Sequence, residues 1–495
     1  MLSLIQRAHK FLSKIAIISE GRSFTYGQLL DESHKFSMCL LKDDNDLMER
    51  RVAFIVHPGF DYVMVQWAIW RAGGIAVPLN PKAPVLTHKY ALKDAGVNLL
   101  VISPDFSQTF QEISEETGIR LITTENQCNP IRELPEININ RKAMILYTSG
   151  TTGSPKGVVA THANIEAQIL ALVESWKWSD TDYIINVLPL HHVHGIINIV
   201  SCALWSGAIC EFTTQFNAGK LMTRLSSPEI NIFMAVPTIY FKLISYWELL
   251  PIEQQEKISD GLQKMRLMVS GSAALPISVL EKWFTISGHI LLERYGMTEI
   301  GMAISNPYDG KRVPGHIGRP LPNVEVRLVD DDLKDVCSND QGEILIKGPN
   351  VFKEYWGKPD ATREAFTEDG WFKTGDIAIN NGGNYKIIGR RSIDIIKSGG
   401  YKLSALEIEE VLREYELVTD CAVVGIPDEE WGEIVAVGLV IEGGDLNEEK
   451  LRAWASERLA GYKIPRLIKV IPDLPRNAMG KVVKMELKEI INSTK

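Results

Sequence analysis

The amino-acid sequence predicts an α/β protein that carries a small β subdomain and ends in a separate α+β domain. Three observations point to it. From Arg51 onwards, short apolar runs alternate with stretches of helical periodicity, the pattern of parallel strands covered by helices. Across 318–385 the pattern changes to short strands divided by turns. Beyond Gly389, helix and strand signals mix within about 100 residues, an ordinary domain size. At 495 residues the chain is also too long for one core.

In chain order, 1–18 reads as a first helix. Its Arg7, Lys10 and Lys14 stand without an acid, but the segment lacks the Ser and Arg enrichment of a transit peptide. Residues 51–56 read as a strand, Pro58 and Gly59 turn it, and 60–71 carry apolar residues at helical spacing. Gly73 and Gly74 end that helix, and 75–79 begin the next strand. The unit repeats over 99–102, 105–117 and 121–123. A polar loop, 131–141, delivers the apolar strand 143–146, and 161–178 show helical periodicity. Further strands are read at 183–190, 230–236, 267–270 and 290–293, then at 324–329, 342–347 and 370–377. Ser404 followed by Glu407 is a capping-box signature for a helix to Glu414. Strands at 420–426, 434–441 and 466–471 and a helix at 448–459 follow. The apolar segment 195–212 is short and broken by polar residues, so it reads as buried helix and strand, not as a membrane span.

The net charge is −9 and no Lys/Arg run occurs, which argues against a nucleic-acid or membrane footprint while leaving room for a local basic pocket. Six scattered cysteines without a C-x-x-C pattern predict reduced thiols, and with them a cytoplasmic compartment.

The strand 143–146 runs into Tyr147, Thr148, Ser149, Gly150, Thr151, Thr152, Gly153, Ser154, Pro155, Lys156 and Gly157. Glycines let backbone N–H groups turn inward, hydroxyls add donors and Lys156 adds a cation, which makes a cradle for a polyphosphate. It is not a Walker A loop, because Pro155 and Gly157 stand where that loop needs Gly and Ser/Thr. His191, His192 and His194 raise a zinc site, but no Cys or carboxylate stands nearby in sequence, so structural or substrate-lining histidines fit better. Gly271, Ser272, Ala273 and Ala274 form a small-residue turn where a flat ring can approach the backbone. Arg294, Tyr295, Gly296, Met297, Thr298 and Glu299 gather a cation, an aromatic, a hydroxyl and a carboxylate. They stand at a strand's C-terminal end, the ligand-binding edge of an α/β sheet. The stretch 474–481 reads as a flexible basic loop ending in Lys481.

These stretches, with 371–376, Gly389-Arg390 and 397–400 in the same order, resemble the adenylate-forming superfamily of acyl-CoA synthetases, adenylation domains and luciferases. The resemblance covers nearly the whole chain. It implies a large N-terminal domain, 1–391, of helix-covered mixed sheets, with 318–389 as its β subdomain, and a mobile C-terminal domain, 392–495. It implies an AMP-forming ligase that turns a carboxylate, ATP and CoA into acyl-CoA, AMP and pyrophosphate through an acyl-adenylate. In that scheme Thr148 to Gly153 and Lys156 hold the β- and γ-phosphates, Thr298 the α-phosphate and Glu299 the Mg²⁺. Tyr295 stacks on adenine beside Gly296, Gly271 to Ala273 line the base, and Asp376 accepts from the ribose with Arg390 or Arg391. Lys481 reaches both the carboxylate and the α-phosphate. The small domain then rotates to present Lys397, Ser398, Gly399, Gly400 and Tyr401 to CoA. One position departs from the family: Ile393 stands where a polar hinge residue is common, before Asp394. The spacing from Gly389 is also one residue longer, which leaves the hinge and the choice between Arg390 and Arg391 open.

Within the superfamily, 271–276, 292–299 and 394–402 look like malonyl-CoA synthetases. Malonate brings a second carboxylate, which needs a cation once buried. Arg294 offers a bidentate fork, His192 a donor, and Met297 and Val236 a wall. Alternatively, Arg294 pairs with Glu293 or another acid and the pocket is apolar. The competing functions are a short- or medium-chain fatty acyl-CoA synthetase and a ligase that loads a carrier protein.

Overall fold

The computed structural model describes residues 1–129, 133–148, 155–213, 215–399, 401–444, 446–476 and 481–493. Two large sheets form the N-terminal part. One has nine strands in the order 319–320, 301–305, 292–297, 267–270, 232–235, 183–186, 209–212, 15–19 and 22–25. Its interior strands pair parallel and its edges antiparallel. The other has seven strands in the order 354–355, 156–161, 142–148, 75–78, 51–55, 99–102 and 120–123, parallel from 142–148 to 120–123 and antiparallel at the 354–355 end. Interior strands such as Tyr183–Asn186 are buried along their length, which is why they read as unbroken apolar runs. One core cluster joins Phe54 and Leu146 of the second sheet to Ile184 and Met234 of the first. The helix Phe60–Arg71 contributes Trp67 and Trp70 to the same cluster and is apolar on almost every side.

A four-stranded antiparallel sheet runs 325–329, 342–347, 372–381 and 384–390. The last sheet spans 395–470: strands 401–404, 395–398, 432–441 and 418–428, with 467–470 parallel to 432–441. The helix Ala405–Leu412 starts where expected, with Ser404 Oγ accepting from Glu407 N–H at 3.1 Å. Only that half of the expected box forms, because the Glu407 carboxylate is taken by Lys463 at 2.5 Å. A final helix, Lys484–Asn492, was not legible in the pattern.

Three expectations are corrected. The first segment is helical only over Ser3–Ala8 and His9–Phe11, and Ile15 already begins a strand of the large sheet. The strand read at 290–293 is Leu292–Met297, so Arg294 to Met297 lie in the strand itself. A tight turn with Gly301 at φ +56° folds that strand back onto Gly301–Ser305. Finally, Cys39 and Cys128 form a disulfide with Cα atoms 5.5 Å apart, while Cys202, Cys210, Cys337 and Cys421 are free. The pair lies 89 residues apart in sequence, and only the packing of the segment after strand 120–123 against the helix Tyr26–Leu41 brings it together. Among the described residues no helix is long and apolar enough to cross a membrane.

Candidate active site

The hairpin Lys142–Thr148 and Lys156–Thr161 sets Thr148 opposite Lys156. Gly157 is needed there, because a Cβ would lie 2.8 Å from Ile145. Ser149, Gly150, Thr151, Thr152 and Gly153, read as the heart of the cradle, lie outside the described residues, as does Gly400. The Lys156 ammonium lies 5.0 Å from the centre of the Tyr355 ring. The Tyr355 hydroxyl donates to Glu299 Oε1 at 2.9 Å. Burial pushes the Glu299 carboxyl up, and hydrogen bonds and the charges of Arg390 and Lys156 oppose it. Thr298, in the turn between the two strands, lines a small, partly open cavity with Leu146 and Asn350.

A second group surrounds Asp376, on the strand Phe372–Asn381. Tyr295 donates its hydroxyl to Asp376 Oδ2 at 2.6 Å. Asp376 and Arg390 are register partners, and Arg390 Nη1 lies 3.7 Å from the carboxylate. Arg391 points elsewhere, to Asp331 and Glu343 at 3.0 Å each, so of the two arginines only Arg390 faces Asp376. Gly296 cannot carry a side chain, because a Cβ would sit 2.0 Å from the Gly301 carbonyl. Lys481 enters this group from the C-terminal part of the chain. Burial and the neighbouring Arg294 pull its ammonium below the usual lysine value, Asp376 pulls the other way, and Arg390 adds to the lowering.

Arg294 is buried, and no ion pair holds it among the described residues. Its Nη2 donates to His194 Nδ1 at 2.6 Å and to Ser272 Oγ at 3.2 Å, and its Nε has no hydrogen-bond partner among the described residues. Burial alone draws the guanidinium down to about 9. Gly271 makes room for it, since a Cβ there would lie 2.4 Å from Arg294 Cζ. Gly271 and Ser272, expected along the base, thus abut the guanidinium, while Ala273 is exposed. Glu293 does not neutralise Arg294. Adjacent strand residues face opposite ways, and Glu293 accepts from Gly315 N–H at 3.1 Å instead. His192, expected to support Arg294, makes no hydrogen bond with it among the described residues. It lies close enough to Lys481 to feel its charge, and burial draws its imidazole down to about 4. The histidine on Arg294 is His194, which opens the π-helix His194–Ser201. Val236 and Met297 are half-buried against the main core.

Against this geometry, comparison with known proteins is decisive. Residues 4–356 match the AMP-binding enzyme family, and 407–481 match the AMP-binding enzyme C-terminal domain. The chain belongs to the AMP-binding enzyme family. It is 43% identical to the mitochondrial malonate–CoA ligase of Bos taurus, over 97% of this chain and 89% of that one. Its structure is similar to ATP-bound MatB from Rhodopseudomonas palustris, with a TM-score of 0.91, 32% identity and 99% of each chain covered. It is also similar to a malonyl-CoA ligase ternary product complex with methylmalonyl-CoA and AMP bound. There the TM-score is 0.68 at 32% identity, covering 94% of this chain and 97% of that one. The architecture is the adenylate-forming fold, as expected from the motifs.

In this AMP-binding enzyme the segment expected at the CoA step stands apart from the rest. Lys397 donates its backbone N–H to Glu433 at 2.8 Å, Ser398 is buried, and Tyr401 stacks on Tyr462 at 4.5 Å. A Cβ on Gly399, whose φ is +56°, would meet Trp431 at 2.8 Å. No hydrogen bond or ion pair among the described residues joins this segment to Arg294, Tyr295 or Asp376. Tyr355 and the contacts of His194 and Ser272 with Arg294 escaped the sequence. The only available signal was His194 itself, third in a cluster whose spacing does not reveal which ring turns inward.

Proposed function

We propose that the enzyme joins malonate to CoA, with methylmalonate as a second substrate. Malonate attacks the α-phosphorus of ATP to give malonyl-adenylate and pyrophosphate. The CoA thiol then attacks the acyl carbon, releasing AMP. The observation that carries this reading is Arg294, a buried guanidinium with no acidic partner among the described residues, close enough to Lys481 to depress its ammonium. A pocket for a monocarboxylate gains nothing from such a cation, whereas a dicarboxylate supplies the missing charge. The relatives that carry the malonate–CoA ligase name support the same substrate.

Two anions must meet at the α-phosphate, so charge has to be neutralised there. Lys481 serves as the point cation between carboxylate and α-phosphate. Thr298 donates to the α-phosphate, and Lys156 with the 148–153 loop holds the leaving pyrophosphate. Tyr295 packs on the base, and Asp376 with Arg390 takes the ribose. Glu299, a lone buried carboxylate beside Lys156, fits a Mg²⁺ that keeps most of its waters. Such a metal supplies charge neutralisation on the phosphates. The C-terminal part, from about Ser392 onward, acts as the moving domain, and Lys397 to Tyr401 serve the thioester step. The higher TM-score with an ATP-bound neighbour than with a product complex of equal identity supports an adenylation-competent arrangement. The four free cysteines favour a cytoplasmic setting. The Cys39–Cys128 bond and the mitochondrial relative speak for testing it by imaging the tagged protein.

A panel of malonate, methylmalonate, acetate and octanoate, with ATP and CoA, tests the reading. Malonate should be preferred, and Arg294→Ala should abolish that preference. If octanoate is the better substrate and Arg294→Ala leaves turnover unchanged, the pocket is not built for a dicarboxylate.

A further inference from the structure

Arg294 is fixed by two neutral acceptors, and the choice is chemically specific. A guanidinium can only donate, so His194 Nδ1, 2.6 Å from Nη2, must be a bare acceptor. That requires the neutral imidazole with its proton on Nε2. His194 Nε2 is buried and has no hydrogen-bond partner among the described residues. A histidine kept only for packing would be expected to satisfy that N–H. Ser272, also neutral, takes the second bond from the same Nη2 at 3.2 Å and lies 3.2 Å from His194 Nδ1. Ser272 is held at φ +70°, a backbone conformation that L-residues rarely adopt, and so it presents its hydroxyl at a strained turn. The guanidinium is thus tethered on one side by groups that hold its direction without cancelling its charge.

We propose that His194 is a specificity-determining positioning residue: a neutral acceptor that aims Arg294 at the distal carboxylate of the acid while leaving its full charge for that carboxylate. An aspartate or glutamate at this place would fix the arginine equally well and neutralise it before substrate arrives. A leucine would leave the charge and lose the aim. The proposal rests on the dicarboxylate reading above and names the group that makes Arg294 selective.

The test uses the full-length enzyme with malonate and its monomethyl ester, which presents the same reacting carboxylate and a neutral distal end. Wild type should prefer malonate. His194→Asn keeps an acceptor near the Nδ1 position and should retain that preference within about threefold. His194→Asp and His194→Leu should each lower the malonate-to-ester ratio of kcat/KM by roughly ten- to a hundredfold, with the KM for ATP unchanged. Equal ratios for the Asn and Asp variants would overturn the proposal, as would an unchanged ratio in His194→Leu. Should the variants fail to fold, ¹⁵N NMR of wild-type histidines decides: a neutral His194 protonated at Nε2 at neutral pH supports it, and an imidazolium contradicts it. A wild type that prefers the ester defeats the malonate reading itself, a distinct failure.

Discussion

Lys484 and Arg294 are both buried cations, and the fold provides for them in opposite ways. Lys484, at the start of the last helix, lies 2.6 Å from Asp394 and 2.7 Å from Glu409. Burial lowers its ammonium, yet the two carboxylates outweigh it and hold the group above its usual value. Glu409 is itself bonded to the Val423 N–H and to Arg413, and Asp394 accepts from Arg390 N–H. Among the described residues Arg294 hydrogen-bonds through its side chain only to His194 and Ser272, and its value falls. A buried charge that the chain neutralises serves the fold. A buried charge that the chain leaves uncompensated costs stability unless a ligand compensates it. Lys481, three residues before Lys484 in sequence, stands between the two: Asp376 favours its charge, but burial, Arg294 and Arg390 outweigh that carboxylate and its value falls.

The sharpest way to break this contrast is at Lys481. Lys481→Ala should slow adenylation by roughly 10²- to 10³-fold, read as malonate-dependent ATP–pyrophosphate exchange, with melting almost unchanged. Thioester formation from preformed malonyl-adenylate should suffer far less, and equal losses would argue against domain alternation. The next test compares stabilities. Lys484→Met leaves Asp394 without this cation and Glu409 with Arg413 alone, and should cost about 3–5 kcal/mol in denaturant unfolding. Arg294→Met removes an uncompensated charge and should be neutral or stabilising. If both variants lose stability alike, the distinction fails.

The smallest effect concerns Glu293, the neighbour that faces away from Arg294. Burial pushes its carboxyl up to about 8, the Gly315 N–H opposes this, and Glu410 adds to it. In the unfolded chain it titrates near the ordinary glutamate value of about 4.3. Between those values the folded protein holds a proton that the unfolded chain has lost, so this group makes stability fall as pH rises through that window. Glu293→Gln removes the slope. Its melting temperature relative to wild type should climb by a few degrees from about pH 5 to about pH 8.

Much of the fold was legible because its signals are local. The strand Leu267–Ser270 was read to the residue, and the apolar run before the cradle reflects a strand buried on both faces. Arg294 was legible as a cation in a ligand-binding stretch. What escaped the sequence depends on direction or on distance. Three histidines in four residues do not say which ring meets Arg294, and the π-helix that starts at His194 settles it. Arg390 and Arg391 are separated by the end of a strand, which turns one to Asp376 and the other to Asp331. The pairing of Lys484 with Asp394 spans ninety residues of chain, and no local pattern announces it.

The most direct measurement is calorimetric titration of malonate and of propionate into wild-type and Arg294→Met enzyme, each with a non-hydrolysable ATP analogue present. Malonate affinity should fall by at least roughly tenfold in the variant while propionate binding stays as it was. Equal loss for both acids, or undiminished malonate binding, would mean that Arg294 is not the partner of the second carboxylate.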